Sequence, residues 1–465
     1  MNSLKHLMRF VPIAVVVAFA MTATTQAENW PSFRGPRGTG VSGDNTVPLT
    51  WGEKTNVRWR VELPDRGNST PVVWGDRVFV TQAVAAEKRR ELLAFDVKTG
   101  NKLWQAGVTF EGKEPTNRQN PYCSASPATD GERVVACFGT PGVYCYDFTG
   151  KELWHRSLGE VDSWHGSGSS PVIHGGLCYL NFGPGTHAAL YALDVRSGET
   201  VWKTVAPQVP PGFSGLPFKG LQGLTRLGIG GPNPGGSPKP ADFENAGMSG
   251  DFSGTGGYNG SWCTPVVLHT GDRDELVLVE SSQVSAYHPT TGESLWTFKG
   301  LPSQVFASPA VGEGVLVAMG HITPVGTKVI AMKLGGTGDV SGTHRLWEVN
   351  LRKECIGSGV VAAGCVFLIT EGGFGVCLDL KTGKEIWQER LFTLKGSWSS
   401  LVLINDRLLV ANQLGQVSVL AASPKFELLN TNAIPTETTC SSLAIANGHV
   451  FLRTHAALWC FGNAF

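Results

Sequence analysis

The stretch "DVKTGNKLW" (residues 96–104) decides how this sequence is interpreted, because close variants of it recur along the chain. The variants are DFTGKELW (147–154), DVRSGETVW (194–202), HPTTGESLW (288–296) and DLKTGKEIW (379–387). Asp can accept a hydrogen bond from the backbone two residues ahead, and Gly adopts positive φ at little cost. Each copy therefore predicts a tight turn, after which the tryptophan begins a strand.

A second repeated phrase, a hydroxyl residue followed by Pro or its equivalent, precedes a pair of short apolar segments in eight copies, beginning with STPVVWGDRVFV (69–80). A hydroxyl stands before the Pro position every time: Thr70, Ser126, Ser170, Thr264, Ser308, Ser358, Ser400 and Ser442. Each copy predicts a hairpin, then a third strand, then the tryptophan strand. Four antiparallel strands at a usual spacing of 42 to 56 residues are typical of a propeller blade. The predicted fold is all-β, an eight-bladed β-propeller.

Tryptophan at the end of the turn phrase is predicted to dock each blade on its neighbour, since one indole can bury about 150–250 Å². Six copies carry it, as Trp104, Trp154, Trp202, Trp296, Trp347 and Trp387. The eighth copy stops before a fourth strand, and NVRWRVEL (56–63) matches the missing segment. We therefore expect Trp59 to complete the last blade, so that the N-terminal strand pairs with the C-terminal blade and closes the ring.

Copies such as LYALDVRSGETVW (190–202) following SSPVIHGGLCYL (169–180) resemble the pyrroloquinoline quinone (PQQ)-type repeat of BamB-like and quinoprotein alcohol dehydrogenase-like propellers. The resemblance covers about residues 54–465 and implies an eight-bladed ring. WPSFRGPRGTGVS (30–42) and WHGSGSSPV (164–172) also resemble a subgroup of exported bacterial propellers described as quinone-binding-like.

The resemblance implies PQQ with Ca²⁺ at the propeller axis as a possible cofactor. The dehydrogenases place two adjacent, disulfide-linked cysteines against the quinone and a Glu, Asn and Asp set around Ca²⁺. None of the ten cysteines here is adjacent to another, and no acidic set matches residue by residue. The resemblance is therefore carried over to the fold and not to the activity, with no catalytic residue and no metal site predicted.

The cysteines fall into two groups by their place in the repeat. Cys145, Cys377 and Cys460 fill a position that other copies give to Ala or Val, which indicates small packing residues. Others lie shortly before the innermost strands, where different blades can bring two thiols together: Cys123, Cys263, Cys355 and Cys440. Zinc there would need converging ligands, which sequence spacing cannot show. The disulfide pairing of the ten cysteines stays open.

Four residues near strand starts are candidate ligand- or partner-binding groups on the channel face: Trp164, His165, Trp262 and Trp398. Phe306 lies at an equivalent position, and aromatic rings beside a ring of hydroxyls can hold a flat ligand or a sugar. The same rings can also simply plug the channel. His165 can act as a base or ligand, or can bond a neighbouring blade as an ordinary loop histidine.

The chain start predicts export. The apolar run FVPIAVVVAFAMTA (10–23) follows basic residues and precedes TQA (25–27), as in a cleaved signal peptide spanning 1–27. Fourteen residues are short of the about 20 needed to span a bilayer, so no transmembrane segment is expected in the mature chain. We expect a periplasmic or extracellular protein.

Two further segments interrupt the repeats. Residues 28–53 form an N-terminal extension expected along the propeller rim, ahead of the propeller at 54–465. A Gly- and Pro-rich insertion at 207–260 separates blades 3 and 4 and is interpreted as a lid or a docking arm, or as an unselected insertion.

Two functions follow from these observations. The first is a non-catalytic scaffold that binds a protein or polysaccharide partner in the cell envelope, as a monomer. The second is a quinoprotein-like oxidoreductase that binds PQQ with Ca²⁺. Lys and Arg total 38, equal to Asp and Glu, so no net charge favours nucleic acid.

Overall fold

The computed structural model describes residues 28–163, 165–207, 259–322 and 326–463. It contains eight antiparallel sheets of four core strands, arranged in sequence order as the blades of a propeller. Within the described ranges the regular helix is one short 3₁₀ turn, Ala85–Glu87. The predicted all-β, eight-bladed fold is confirmed.

The first four blades follow one another along the chain, and their strands are given from the inside outward. Blade 1 contains Val72–Trp74, Arg77–Val84, Arg89–Asp96 and Lys102–Thr109. Blade 2 contains Ala128–Thr129, Arg133–Cys137, Val143–Asp147 and Glu152–Arg156. Blade 3 contains Val172–His174, Leu177–Phe182, Ala189–Asp194 and Thr200–Val205. Blade 4 contains Val266–Thr270, Arg273–Glu280, Gln283–Tyr287 and Ser294–Lys299.

The remaining blades have the same order, except that the outer strand of blade 8 comes from the N-terminal region. Blade 5 contains Ala310–Gly312, Val315–Ile322, Gly326–Lys333 and Arg345–Leu351. Blade 6 contains Val360–Ala362, Cys365–Ile369, Phe374–Asp379 and Glu385–Arg390. Blade 7 contains Val402–Ile404, Arg407–Ala411, Gln416–Ala421 and Leu428–Ala433. Blade 8 contains Ala444–Ala446, His449–Arg453, Ala457–Gly462 and Val57–Glu62.

The turn phrase forms the tight turn that its residues predict. Asp96 Oδ1 accepts hydrogen bonds from the backbone N–H groups of Lys98 (3.1 Å) and Thr99 (2.8 Å). Gly100 then adopts a φ of +72° and donates its N–H to the Asp96 carbonyl. The chain then enters the outer strand of blade 1, which begins at Lys102.

The glycine of the phrase also has a packing role. A Cβ atom added to Gly100 would lie 2.7 Å from the indole of Trp59, which belongs to the preceding blade in the ring. At four more glycines an added Cβ atom would lie 2.5–2.7 Å from the indole of the preceding blade: Gly150, Gly198, Gly292 and Gly383. The turn phrase therefore forms a tight turn and also provides the surface on which the tryptophan of the preceding blade packs.

Six indoles donate to a backbone carbonyl in the turn of the next blade, at 2.7–3.3 Å. They are Trp59, Trp104, Trp154, Trp202, Trp347 and Trp387. Trp296 differs, since its Nε1 donates to the buried Glu275 carboxylate of its own blade at 2.8 Å. Blade 5 has no matching turn phrase, and Gly338–Asp339 instead pairs in parallel beside Trp296.

The closing strand joins the two ends of the propeller as predicted. Val57–Glu62 pairs antiparallel with Ala457–Gly462, with Trp59 opposite Cys460. Blade 8 is therefore built from both ends of the propeller, which fastens the C-terminal blade to the strand that leads into blade 1.

The N-terminal extension does not lie where the sequence analysis placed it. Val41–Ser42 pairs in parallel with Leu403–Ile404 on the innermost strand of blade 7, and Trp30 bridges Val73 on the innermost strand of blade 1. Residues 28–42 therefore form a hairpin inside the central channel, and the expected rim location is wrong for them. The innermost strands leave backbone donors and acceptors unpaired towards the channel, and residues 28–42 satisfy some of them, as in the two hydrogen bonds between Trp30 and Val73.

Only the end of the extension packs outside the channel. Trp51 stacks on Phe461 at 5.3 Å between ring centroids, and its N–H donates to Asn432 Oδ1 on the outer strand of blade 7. The extension thus fills the channel first and then covers the junction of blades 7 and 8.

Candidate functional site

The two faces of the disc carry different connections. Because each blade is an antiparallel meander, the loops before the innermost strands share a face with the loops joining second and third strands. We call this the loop face. The opposite, turn face carries the first hairpin turns and the turn phrases. The hairpin of residues 28–42 begins and ends at the turn face, where Glu28 O and Asp44 Oδ2 accept hydrogen bonds from Asn447 and Gly448.

A continuous arc of side chains crosses five blades on the loop face. In order, its members are His165, Trp262, Phe306, His321, Glu354, Glu371 and Trp398. We call this set the loop-face arc. It unites three of the four predicted site residues, and the fourth, Trp164, lies outside the described residues.

Aromatic contacts form the first half of the arc. The rings of His165 and Trp262 meet edge to face at 5.7 Å between centroids, and Trp262 lies 4.9 Å from Phe306. Phe306 meets His321 edge to face at 4.8 Å. Trp262 is 8% exposed and donates its Nε1 to Gly166 O at 2.9 Å, so its indole plane is held by its own surroundings.

Carboxyl groups form the second half. His321 Nδ1 lies 3.7 Å from Glu354 Oε1, and Trp398 Nε1 donates to Glu371 Oε1 at 3.3 Å. The backbone joins the two acids, since the Glu371 N–H donates to the Glu354 carbonyl at 2.7 Å. The arc thus places two carboxyl groups between an imidazole and an indole.

Burial sets the protonation of these groups. It raises the pKa of Glu371, and the neighbouring Glu354 carboxylate raises it further, while the Trp398 hydrogen bond opposes the shift. Burial also lowers the pKa of His321, and it lowers the pKa of His165 to about 4. Both imidazoles are therefore neutral at neutral pH and can accept or donate one hydrogen bond through each ring nitrogen.

His165 also hydrogen-bonds the loop that precedes the innermost strand of blade 2. Its Nδ1 is 2.7 Å from Asn117 Nδ2, and its carbonyl accepts a hydrogen bond from Asn120 Nδ2 at 2.6 Å. This is the blade-bonding role considered for this histidine, and it leaves the ring contact with Trp262 in place.

The predicted hydroxyl ring exists but is not a ligand surface. Each backbone N–H at these positions donates to the hydroxyl of the next blade at 2.9–3.2 Å. All eight residues are buried. The hydroxyls tie the innermost strands together around the axis.

The cysteines are packing residues for the most part. All ten are free thiols, and nine are buried, with Cys440 half-buried. In the part of the chain that the structure describes, no three or more His, Cys, Asp or Glu side chains converge to hold a metal ion. The four cysteines before the innermost strands thus have no partners for a zinc site among those residues.

His321, Glu354 and Glu371 were not predicted from the sequence. His321 is the last residue but one in the second strand of blade 5, and the two acids come from different loops of blade 6. The sequence feature that these residues share is their position in the repeat. They lie at the end of a second strand or before a first strand, and both positions are on the loop face. A search restricted to strand starts could not find His321 or Glu371.

A family model described as "Outer membrane protein assembly factor BamB" (PQQ_2) matches residues 41–121, 109–216 and 261–395. The chain belongs to this family. Among solved structures, BamB from Moraxella catarrhalis has a TM-score of 0.54 at 15% identity, covering 87% of this chain and 99% of that chain. Quinohemoprotein alcohol dehydrogenase from Comamonas testosteroni has a TM-score of 0.59 at 13% identity, covering 94% and 81%. At these identities the likeness to BamB and to the dehydrogenase shows the fold alone.

Two curated relatives match a part of the chain. A polyvinylalcohol dehydrogenase from Pseudomonas sp is 28% identical over 192 residues, which cover 38% of this chain and 27% of the relative. The enzyme of the same name from Sphingopyxis sp. (strain 113P3) is 26% identical over 183 residues, covering 36% and 26%. This chain thus aligns with about a quarter of each relative.

The described residues do not fit a quinone with calcium. The cysteines near the innermost strands lie on alternate blades and not next to one another, and among the described residues no three or more His, Cys, Asp or Glu side chains are grouped to hold a metal ion. Trp262, the ring best placed to stack on a flat ligand, is covered by Phe306 and His165.

Proposed function

We propose that this protein is an exported, non-catalytic propeller scaffold that binds a partner in the cell envelope through the loop-face arc. The observation that carries the proposal is the continuity of the arc across five blades. The half-buried rings of His165, Phe306 and Trp398 provide apolar area, and the half-buried carboxyl groups of Glu354 and Glu371 provide directed hydrogen bonds. Such a combination is typical of the energetic centre of an interface.

A protein is favoured over a polysaccharide as the partner. Leu394 is 69% exposed in the loop that leads to Trp398. An exposed leucine contributes to binding free energy when it is buried against apolar side chains. A hydroxylated sugar has less apolar surface than a protein. Similarity to a family described by an assembly factor supports the same choice.

Export is part of the proposal. The predicted signal peptide at 1–27 lies outside the described residues, and none of the described helices is long and apolar enough to cross a membrane. The mass of the protein recovered from the cell envelope tests this point. Maturation after Ala27 gives a chain beginning at Glu28, and a chain that keeps residues 1–27 would refute it.

The partner experiment uses a photo-crosslinking amino acid at position 394, in cells. Position 386 on the outer strand of blade 6 is the matched control, because Ile386 is also exposed, at 40%, but lies outside the loop face. We expect a specific crosslinked protein from position 394 alone. The crosslinked protein, once purified, should bind wild-type protein at least tenfold more tightly than the Trp398→Ala variant.

Equal binding of the purified partner by both proteins would refute the proposal. Binding of purified envelope polysaccharide that depends on Trp398, without a protein crosslink, would replace the protein partner by a sugar.

A second candidate, a PQQ-dependent oxidoreductase, is favoured by the partial similarity to polyvinylalcohol dehydrogenases. The purified protein is mixed with PQQ and Ca²⁺ and then tested for a bound chromophore and for dye reduction with alcohols, including polyvinyl alcohol. Alcohol-dependent dye reduction would overturn the scaffold proposal.

A further inference from the structure

Three cations lie together on the loop face of blade 6, beside the carboxyl half of the loop-face arc. Lys353 Nζ lies 4.4 Å from the ring centroid of Phe374, and the guanidinium carbon of Arg390 lies 4.2 Å from it. Phe374 begins the third strand of blade 6, and Arg390 is opposite it on the outer strand. The third cation, Lys395, is exposed in the loop before the innermost strand of blade 7, next to Leu394. We call these five residues the basic patch.

Backbone contacts hold together the loops that carry the patch. The Glu371 N–H donates to Glu354 O at 2.7 Å, which joins the loop before blade 6 to the loop between its second and third strands. The Phe392 N–H donates to Gly373 O at 3.1 Å. A Cβ added at Gly396 would lie 1.3 Å from Glu371 O, so this loop packs directly on the other. The three loops therefore form one packed unit, and the cations do not lie on independent segments.

The positive charge of the patch is not balanced by ion pairs. Among the described residues, no carboxylate forms an ion pair with Lys353, Arg390 or Lys395. The carboxyl groups of the same loops belong to the arc. There Glu354 faces His321, and Glu371 accepts a hydrogen bond from Trp398. The patch thus presents cations to the solvent.

Contacts with Phe374 restrict two of these cations before any partner binds. A cation over an aromatic ring is attracted by the negative face of the π system. Lys353 is half-buried by this arrangement, while Arg390 stays exposed at the edge of the sheet. Because side chains that are already ordered lose less conformational entropy on binding, this favours the patch as a binding surface.

The loop of Lys395 has a backbone conformation that its sequence does not favour. Lys395 adopts a φ of +55°, in the left-handed region where glycine is least strained. Leu394, just before it, is 69% exposed. A lysine in a strained position at the tip of an exposed loop is better explained by use of its charge than by the stability of the fold.

We propose that the basic patch binds an acidic peptide segment of the partner. Aspartate or glutamate side chains of that segment pair with Lys353, Arg390 and Lys395, and an aliphatic side chain packs on Leu394. This inference rests on the proposed function, because the patch adjoins the loop-face arc and specifies the chemistry of the protein that binds there. Complementary charge across an interface raises the association rate and selects the partner.

An acidic peptide fits this surface better than an anionic lipid surface does. Glu354 and Glu371 adjoin the patch and are half-buried, so part of each carboxyl group reaches the surface. A continuous layer of negative headgroups would face these carboxyl groups as well as the cations. A peptide can place carboxylates on the cations and N–H or hydroxyl groups on the two glutamates.

A displayed library of random peptides tests this chemistry without knowledge of the partner. Mature wild-type protein, Lys395→Glu and Lys384→Glu are immobilised separately, and the same library is selected on each. Lys384 is the matched control because it is exposed on the same blade but lies in the turn phrase, on the opposite face. We expect wild type and Lys384→Glu to enrich peptides that combine Asp or Glu with an aliphatic residue. Lys395→Glu should lose this enrichment.

The most enriched acidic peptide is then synthesised, and its binding is measured by fluorescence anisotropy. Lys395→Glu should bind it about tenfold more weakly than wild type and Lys384→Glu do, since an attractive charge becomes repulsive. High salt should weaken the binding to wild type, because it screens exposed charges. Both substitutions exchange one exposed side chain for another of similar length, and circular dichroism confirms that each variant is folded.

The inference is overturned if wild type selects no acidic peptides, or if Lys395→Glu binds the acidic peptide as tightly as wild type. Tighter Lys395-dependent binding to phosphatidylglycerol vesicles than to any selected peptide would replace the peptide by a lipid surface. The proposed function can fail separately. An acidic peptide whose binding depends on Lys395, without a crosslinked protein from position 394 in cells, would support the patch and refute the envelope partner.

Discussion

The backbone N–H of Ser442 donates to Thr70 Oγ1 at 3.1 Å, although the two residues are 372 positions apart in the chain. This bond is the last of eight equivalent links between hydroxyl positions, one between each pair of neighbouring blades. Both residues are buried. The ring of hydrogen bonds is therefore closed at the same seam as the strand Val57–Glu62, but on the axis instead of the rim.

Thr70→Val should destabilise the propeller by about 1–3 kcal/mol, because it leaves the buried N–H of Ser442 without an acceptor. Thr70→Ser keeps the oxygen and is the matched control, with a smaller loss. The measurement is the free energy of unfolding from urea titration. Equal stability of the two variants would show that the hydroxyl link contributes nothing.

Gly100→Ala tests the packing of the Trp59 indole on the turn of blade 1. The new Cβ would meet the Trp59 indole at 2.7 Å, in addition to the strain of a φ of +72°. Gly75 is the control, since it has a φ of +57° and nothing within 4 Å of an added Cβ. We expect Gly75→Ala to lose about 1 kcal/mol from backbone strain alone, and Gly100→Ala to lose clearly more in the same urea assay.

Comparable losses for Gly75→Ala and Gly100→Ala would mean that the indole shifts freely. Gly100 would then be needed only for the positive φ of the turn and not for the contact with Trp59.

Trp154→Ala should cost about 3–5 kcal/mol, as for other buried aromatic truncations. The indole is 7% exposed, donates to Val195 O at 2.9 Å and packs on Gly198. Leu153, one residue earlier on the same strand, is 43% exposed, and Leu153→Ala should change stability by about 0.5 kcal/mol or less. Calorimetric unfolding of both variants checks the difference, and a similar midpoint for the two would exclude a docking role for Trp154.

Glu371→Gln should make the protein more stable at neutral pH. The folded state raises the pKa of Glu371 above its ordinary 4.5, so the folded protein retains a proton that the unfolded chain releases. The free energy of unfolding of wild type therefore falls as pH rises from about 4.5 through the folded pKa, and it stays lower above that value. The glutamine keeps an acceptor for Trp398 and has no charge to bury.

Urea titrations at several pH values measure this effect. Glu389→Gln, on the exposed outer strand of the same blade, should keep the wild-type pH dependence. A Glu371→Gln curve parallel to wild type would show that the buried carboxyl does not control stability in this range.

Local signals explain why most of the architecture was predictable. All eight blades carry the hydroxyl position, and most also carry a turn phrase and a tryptophan within about 50 residues, so that the count of eight needs no knowledge of contacts between blades. The closing strand was found in the same way, because the segment around Trp59 matches the one around Trp154. Trp296 is the exception, since its partner Glu275 lies in a strand and outside the repeated phrase.

The candidate site was only partly predictable. Trp262 and Trp398 stood out because they are aromatic residues outside the docking position. His321 and Glu371 did not, since a histidine at a strand end and a glutamate before two glycines have no distinctive local pattern. Their meaning comes from the contact of His321 with Phe306, in the loop before the same blade, and of Glu371 with Trp398, in the loop before the next blade.

The amino-acid sequence by itself determined the eight blades, the closing strand at Trp59 and the tight turn of each turn phrase, because each of these features is marked by a pattern of residues close together in the chain. Only the tertiary structure decided that residues 28–42 enter the channel and that the loop-face arc is continuous. Both depend on unpaired inner strand edges and on loops from different blades, which meet in space at separations that spacing along the chain does not encode.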